Sequence, residues 1–387
     1  TFVLLLFIET SEKKKILSNL LIRSMSLRRD NFTKKDKYFM NIAINLAYSH
    51  KGYTGSNPSV GCVVVKNNNI VSYGVTSYFG RPHAEINALS KINKIKNSTV
   101  YLTLEPCVHF GKTPPCTSAL IKAKVKKVIY SLEDTDPRTA NKSKKILSQK
   151  NIIVKSGLLR NKSKKLYKNY NYSKKINIPY LTAKLACSMK MKIFNDKSQI
   201  SNIYSKQVTH VLRSQNQGIL TTHKTINIDN PKLNCRIYGQ DKFSPVRIII
   251  DKDLKIKKNC YVISKSNKTI IFHSSKNKLK LNFLNSCGIK TFFIKKDKYN
   301  LLNILDILKK IYQIGITSVL IESGPTFLKY MLKLDLINEF YLFKSNIKIP
   351  KTKAIDINHI IKLLLVCYKS PRKVNTHLDK DLLLHYY

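Results

Sequence analysis

Tryptophan is absent from this chain and acidic side chains are scarce: 22 Asp and Glu stand against 70 Lys and Arg, a formal charge of +48. No apolar run reaches the roughly 20 residues that cross a bilayer, which excludes a helical membrane span. The eight cysteines are too few and too scattered for a disulfide framework. Six of them, Cys62, Cys187, Cys235, Cys260, Cys287 and Cys367, sit singly and read as buried thiols in a reducing, cytoplasmic compartment. The shortage of acids raises the question of a nucleic-acid partner, because basic surfaces attract phosphate backbones whatever their sequence. Lys greatly outnumbers Arg, however, and Lys, Asn and Ile crowd every region alike. That fits compositional drift better than a shaped groove, and no stretch combines aromatic and basic residues as nucleic-acid modules do. The composition therefore argues against nucleic acid, while a positive field suits a small phosphorylated substrate.

What is present is enough for two domains: 387 residues, 43% of them hydrophobic. Residues 1–24 are apolar at first but have no basic stretch ahead, so they make a poor signal peptide. They read as extraneous sequence before Met25. The expected division is a first domain over 25–160, a polar, basic, Tyr-rich connection over 161–179, and a second domain over 180–387.

In the first domain, His83-Ala84-Glu85, Glu105-Pro106-Cys107 and Pro115-Cys116 supply one imidazole, one free carboxylate and two thiols. A catalytic zinc takes three protein ligands and leaves a position for water, whose pKa it lowers. His83, Cys107 and Cys116 are the ligand candidates, and Glu85 is placed to move the proton between water and a leaving amine. This is the pattern of a zinc hydrolytic deaminase. The apolar spacing predicts a helix over 37–50, a hairpin of 61–65 and 70–75, and a helix over 83–92 carrying His83 and Glu85. It continues with strands at 99–104, 127–132 and 151–154 and helices at 116–124 and 139–149, an α/β/α domain.

Eight residues, 108–115, separate the two cysteines, where nucleoside and nucleic-acid deaminases have two. With TLEPCVHFGKTPPC, the upstream HAEINAL and Asn57-Pro58-Ser59-Val60-Gly61, the chain resembles the deaminase half of the bifunctional riboflavin-biosynthesis deaminase/reductase family. The resemblance implies a cytidine-deaminase-like fold, a pyrimidine-binding corner at Asn57, contacts from His109 and Lys112 to a ribose phosphate, and a substrate contact at Asp134. Asp136 stands where the family usually has Asn, and Asn141-Lys142-Ser143 replace its usual glycines.

From Tyr180 the pattern restarts, with strands at 180–186, 218–222, 246–250, 269–272 and 318–321, a final pair at 339–343 and 382–385, and helical stripes between them. This second α/β sheet of mixed direction resembles the family's reductase half, whose fold is like dihydrofolate reductase. The likeness rests on Lys184-Leu185-Ala186 with Ser198, on the run from Thr225 through Asp229 and Leu233 to Arg236, and on Glu322-Ser323-Gly324-Pro325-Thr326. It implies that Ala186, Thr225, Asp229, Gly324, Pro325 and Thr326 contact NADPH. It places Lys184, Ser198, Arg213, Leu233, Arg236 and Glu322 at the substrate, and makes a homo-oligomer through this half a possible assembly. Ser188-Met189-Lys190-Met191-Lys192 departs from the family's Ser-x-Asp-Gly-Arg, and the tryptophan usual just after Ser198 is missing. Two alternatives follow: a deaminase with a decayed reductase scaffold, or a nucleic-acid deaminase, against which the long cysteine spacing argues.

Overall fold

The computed structural model describes residues 32–91, 95–196, 198–263, 268–368 and 370–387, so the reading of residues 1–24 lies outside the described residues. Helix Lys34–Ser49 begins where Thr33 caps it: the Thr33 hydroxyl accepts from the Asp36 amide, and the Asp36 carboxylate accepts from the Thr33 amide. Its buried stripe of Phe39, Met40, Ala43, Ile44 and Ala47 covers one face of the first sheet. A Cβ at Gly61 would lie 1.9 Å from the Ala43 carbonyl oxygen, so only glycine lets strand and helix come this close.

That sheet holds β1 (Gly61–Lys66), β2 (Asn69–Val75), β3 (Thr99–Leu102), β4 (Lys127–Tyr130) and β5 (Ile153–Ser156) in the order β2-β1-β3-β4-β5. The β1–β2 hairpin is antiparallel, and Asn67 and Asn68 turn it with φ of 50° and 63°, the left-handed pair that a two-residue hairpin turn requires. β3, β4 and β5 run parallel. Helix Ala84–Leu89 packs on β2 and β1, with Cys116–Lys122 beside it and Ser143–Ser148 beside that second helix.

The second sheet holds β6 (Tyr180–Ser188), β8 (Gly218–Thr222), β9 (Val246–Ile250), β10 (Thr269–His273), β11 (Lys290–Phe293), β12 (Ser318–Ile321), β13 (Glu339–Ser345), β15 (Arg372–Lys373) and β16 (Leu382–Tyr386). The order is β11-β10-β9-β8-β12-β6-β13-β16-β15, parallel through β13 and antiparallel thereafter. Apolar clusters cover both faces, one around Phe272, Phe340 and Met331 and the other around Ile219, Ile249 and Phe343, so the inner strands are buried on both sides as parallel strands must be. A two-stranded ribbon of β7 (Lys192–Phe194) and β14 (Ala354–Asp356) lies outside this sheet.

The expected connection over 161–179 is helical. It forms two helices, Arg160–Leu166 and Lys168–Ile176. Leu166 and Tyr167 are buried against Ala47, Leu104 and Leu132. The Tyr167 hydroxyl donates to the Ser59 carbonyl at 3.0 Å, and Ser173 Oγ reaches the Thr317 carbonyl at 2.7 Å. The polar, Tyr-rich composition thus marks a bracket that holds the two halves, with the Tyr167 and Tyr170 hydroxyls hydrogen bonded. Three of the expected helices are shorter, 116–124 giving Cys116–Lys122. Residues 83–92 give Ala84–Leu89, with His83 at the cap and 92–94 outside the described residues; 139–149 gives Ser143–Ser148.

Candidate functional site

The first site sits at the carboxyl end of β3. Cys107 follows that strand, Cys116 opens its helix, and His83 caps the helix that carries Glu85. His83 Nδ1 lies 3.3 Å from Cys116 Sγ and 3.7 Å from Cys107 Sγ, and the three ligand atoms are all within 4.8 Å of one another. A tetrahedral zinc with Zn–S of about 2.3 Å and Zn–N of about 2.0 Å sets N···S edges of roughly 3.5 Å, so the donor set fits this metal.

The electrostatics lead to the same conclusion. The Cys116 thiol and the His83 ring hydrogen bond to Cys107, outweighing burial and bringing it down to about 4. Cys116 is pushed well up by its hydrogen bond to Cys107 and by burial. Two sulfurs this close hold one negative charge comfortably, and a dication lets both ionise. Glu85 is 3% exposed. Burial first, and then the Cys107 charge, push its carboxyl up to about 7, a value suited to taking and returning a proton near neutrality.

Around this centre, Asn57 donates from Nδ2 to the Gly80 carbonyl at 2.9 Å, which leaves its side-chain oxygen free to accept. His109 Nδ1 is 3.2 Å from Thr139 Oγ1, Lys112 is exposed, and Arg81 hydrogen bonds to Thr113, tying the 108–115 insert to the loop that leads into His83. Asp134 serves the turn: its Oδ1 accepts from the Asp136 amide and from the Tyr170 hydroxyl, both at 2.9 Å. Asp136 binds Arg138 and Lys174, which together hold its carboxyl well below the usual range.

The motif alone gives no role to Glu105, and the structure does. Its buried carboxylate accepts from the amides of Asp134, Asn141 and Ser143 and from the Ser143 hydroxyl at 2.8–3.2 Å. It therefore clamps the 133–143 loop beside Cys107. Asn141 takes φ of 59° there, a conformation that Asn tolerates where glycine would be easiest.

The second site is a cavity of about 1390 Å³ at the carboxyl ends of the parallel strands, where open α/β sheets bind ligands. Lys184, Ala186, Ser198, Arg213, Thr225, Asp229, Leu233, Arg236, Glu322, Gly324, Pro325 and Thr326 all line it. Gly324 caps helix Pro325–Lys333, and a Cβ there would meet nothing within 4 Å, so the backbone at the helix start is open to the cavity. A helix start of this kind suits a cofactor phosphate, and with Lys206, Lys224, Lys232 and Lys252 on the same walls the cavity fits an anionic dinucleotide.

Arg213 binds Glu322 through Nε and Nη2 at 2.7 and 2.9 Å and donates from Nη1 to the Asn234 carbonyl. Lys184 lies half-buried beside this pair, and desolvation lowers its pKa. One lining residue carries no signature in the motifs. His210 sits one turn before Arg213, accepts the Arg236 amide on Nδ1 at 3.3 Å, and is brought down to about 4 by burial and by Arg213 and Arg236. The i, i+3 spacing to Arg213 on helix Ile203–Ser214 is the signal that could have found it.

One of the two departures from the family pattern falls outside the cavity. Residues 188–192 are absent from the cavity lining, and Met189 and Lys190 are exposed. Met191 adopts φ of 54°, the left-handed turn a glycine would take, and its sulfur packs 4.0 Å from Cys187. After Ser198, Gln199 and Ile200 form the wall where the family has a tryptophan.

Fold and ligand set together define a zinc-dependent deaminase of the cytidine-deaminase class joined to a dihydrofolate-reductase-like domain. Residues 33–132 match the cytidine and deoxycytidylate deaminase zinc-binding region, and residues 179–346 match the RibD C-terminal domain. The riboflavin biosynthesis protein RibD of Bacillus amyloliquefaciens is 34% identical over 325 residues, covering 82% of this chain and 86% of that protein. That of Escherichia coli is 31% identical over 347 residues, covering 85% and 91%. The structure of Acinetobacter baumannii RibD (form 2) superposes with a TM-score of 0.80 at 26% identity, over 91% of this chain and 98% of that one. A Thermotoga maritima diaminohydroxyphosphoribosylaminopyrimidine deaminase/5-amino-6-(5-phosphoribosylamino)uracil reductase gives 0.75 at 27% identity over the same shares. The chain belongs to the RibD family, the bifunctional deaminase/reductases of riboflavin biosynthesis, with zinc in the first half and NADPH in the second.

Proposed function

We propose that the first half removes the ring 2-amino group of 2,5-diamino-6-(5-phosphoribosylamino)pyrimidin-4-one as ammonia, and that the second reduces the ribosyl chain of the product to ribityl. The observation that carries this reading is that all twelve reductase positions singled out by sequence share one cavity, in the same chain as a complete His83/Cys107/Cys116/Glu85 set. Zinc, when bound, supplies the Lewis acid that activates water. Glu85 takes a proton from that water and delivers it to the departing amine, while Asn57 orients the pyrimidine with its free oxygen.

His109 and Lys112 of the insert face the ribose phosphate. In the second half Arg236 holds the phosphate, since a guanidinium binds it bidentately. Glu322 and Arg213 orient the substrate, and Lys184 hydrogen bonds to the ribose at the reacting carbon. NADPH supplies the hydride, and Thr225, Asp229 and the Gly324–Thr326 turn seat it. The domains divide at 25–160 and 180–387. The substrate is a small molecule rather than nucleic acid, the enzyme works in the cytoplasm, and copies associate through the reductase half.

The insert provides the test. Lys112→Ala should raise the KM for ammonia release about tenfold and leave kcat within twofold, because a phosphate contact remote from the ring binds ground and transition states alike. The dephosphorylated substrate should show the same raised KM with either protein. Equal KM values for phosphorylated and dephosphorylated substrate in the intact protein would remove the phosphate role of the insert.

A further inference from the structure

Two loops of the deaminase half are interlocked ahead of the zinc ligand His83. The Phe79 amide donates to the Tyr53 carbonyl at 2.8 Å, Thr54 Oγ1 donates to the Asn57 carbonyl at 2.7 Å, and Asn57 Nδ2 donates to the Gly80 carbonyl at 2.9 Å. A Cβ at Gly80 would lie 2.7 Å from both Asn57 Nδ2 and the Thr54 carbonyl oxygen, so the two loops cannot shift independently. Ser77 and Pro82 close the second loop with a 3.0 Å amide-to-carbonyl bond, and His83 is the next residue. The position of the Asn57 side chain and the entry to the metal ligand therefore belong to one rigid unit.

The outer support of that unit comes from the other half of the chain. The Phe243 ring lies 4.2 Å from the Tyr53 ring, 4.9 Å from Tyr78 and 6.2 Å from Phe79, between centroids. Lys242 Nζ stands 5.0 Å over Tyr78. The Tyr53 hydroxyl donates to Gln240 Oε1 at 2.9 Å, and Gln217 hydrogen bonds to the Gly55 carbonyl. Gly52, with φ of 91°, lies so close to Gln215 that a Cβ would meet its Cα at 2.7 Å. Residues 240–243 follow directly on the segment that carries Arg236, and 215–217 follow the helix that carries Arg213.

We propose that Phe243 is a positioning residue for deamination: from the reductase half it holds Tyr53, Tyr78 and Phe79, and through them sets Asn57 and the loop running into His83. The inference rests on the reading that Asn57 contacts the pyrimidine. Without the Phe243 ring, the two loops lose the apolar surface against which they are registered, and the substrate meets a displaced corner. Small displacements of this kind are costly because productive geometry is narrow.

The test uses the full-length, zinc-loaded chain. Phe243→Ala should raise the KM for ammonia release about tenfold with kcat changed less than threefold, at unchanged zinc content. NADPH oxidation with the pre-deaminated pyrimidine should stay within twofold, because Phe243 does not line the reductase cavity. Phe243→Tyr, which keeps the ring, should restore the KM. Unchanged deaminase kinetics in Phe243→Ala would overturn the proposal. So would an equal fall in both activities or a failure of Tyr to restore, each of which would make Phe243 a general structural contact. Asn57→Ala tests the underlying reading separately. If it leaves deamination intact, the pyrimidine contact at Asn57 is wrong, while the KM of Phe243→Ala still decides the support from Phe243.

Discussion

Glu85→Gln should abolish ammonia release, by about 10³- to 10⁴-fold in kcat, while the protein remains folded and binds one zinc per chain. The amide is nearly isosteric with the carboxylate and fits the same buried position, so packing is preserved. Gln cannot accept the proton from water or return it to the amine, and both transfers are lost together. Zinc should stay because His83, Cys107 and Cys116 are untouched. The fold should not weaken either, since replacing a buried acid by a neutral amide removes a desolvated charge. Kinetics, metal analysis and a melting curve on one preparation separate these effects. Near-normal ammonia release would show that another group moves the proton.

Arg213→Ala should lower stability by about 3–5 kcal/mol, because it leaves the Glu322 carboxylate in a poorly exposed site without its bidentate partner. In the intact protein burial pushes Glu322 up, but the Arg213 charge and hydrogen bonds, and then Lys184, hold it below the usual carboxylate range. A depressed carboxyl contributes stability that is present above its unfolded pKa and is lost as pH falls through the folded value. In the variant, burial is opposed by Lys184 and His210 without the Arg213 charge and hydrogen bonds, and Glu322 shifts upward. The destabilisation should therefore be largest at pH 7, shrink as pH falls through the raised Glu322 value of the variant, and shrink further below about pH 4 as the folded carboxyl of the intact protein also protonates. NADPH oxidation should fall at least 100-fold, since the Asn234–Arg236 segment loses the Arg213 contact to the Asn234 carbonyl as well as the cation itself. Arg213→Lys should recover little, because an ammonium cannot reproduce two parallel bonds to one carboxylate. Urea unfolding at pH 7 and pH 4 measures the first effect and NADPH kinetics the second.

Residue chemistry made the metal centre legible before any fold was known, because each ligand type and its order along the chain has a chemical reason. The inner strands were legible because they are continuous apolar runs; 218–222, 246–250 and 318–321 are strands over those same residues. The edges were not: Lys290–Phe293 and Arg372–Lys373 are short and largely exposed, with no pattern to separate them from loops. The helices within 161–179 were not legible because they bury few side chains and make much of their contact through hydroxyls, as Tyr167 and Ser173 do. Glu105 and Phe243 were invisible for a different reason. Their partners, Ser143 for one and Tyr53 and Tyr78 for the other, lie far away in sequence, and no local spacing reports them. The substitution of Met191 for glycine looked like damage in the sequence, yet the backbone keeps the left-handed turn and uses the new side chain as packing.

The central claim is that both halves work, and in sequence. Zinc-loaded protein supplied with the phosphorylated diaminopyrimidine and NADPH should release ammonia and oxidise NADPH in a one-to-one ratio, with ammonia appearing first. Ammonia release with no NADPH oxidation would contradict this and leave the second half as a scaffold for the first.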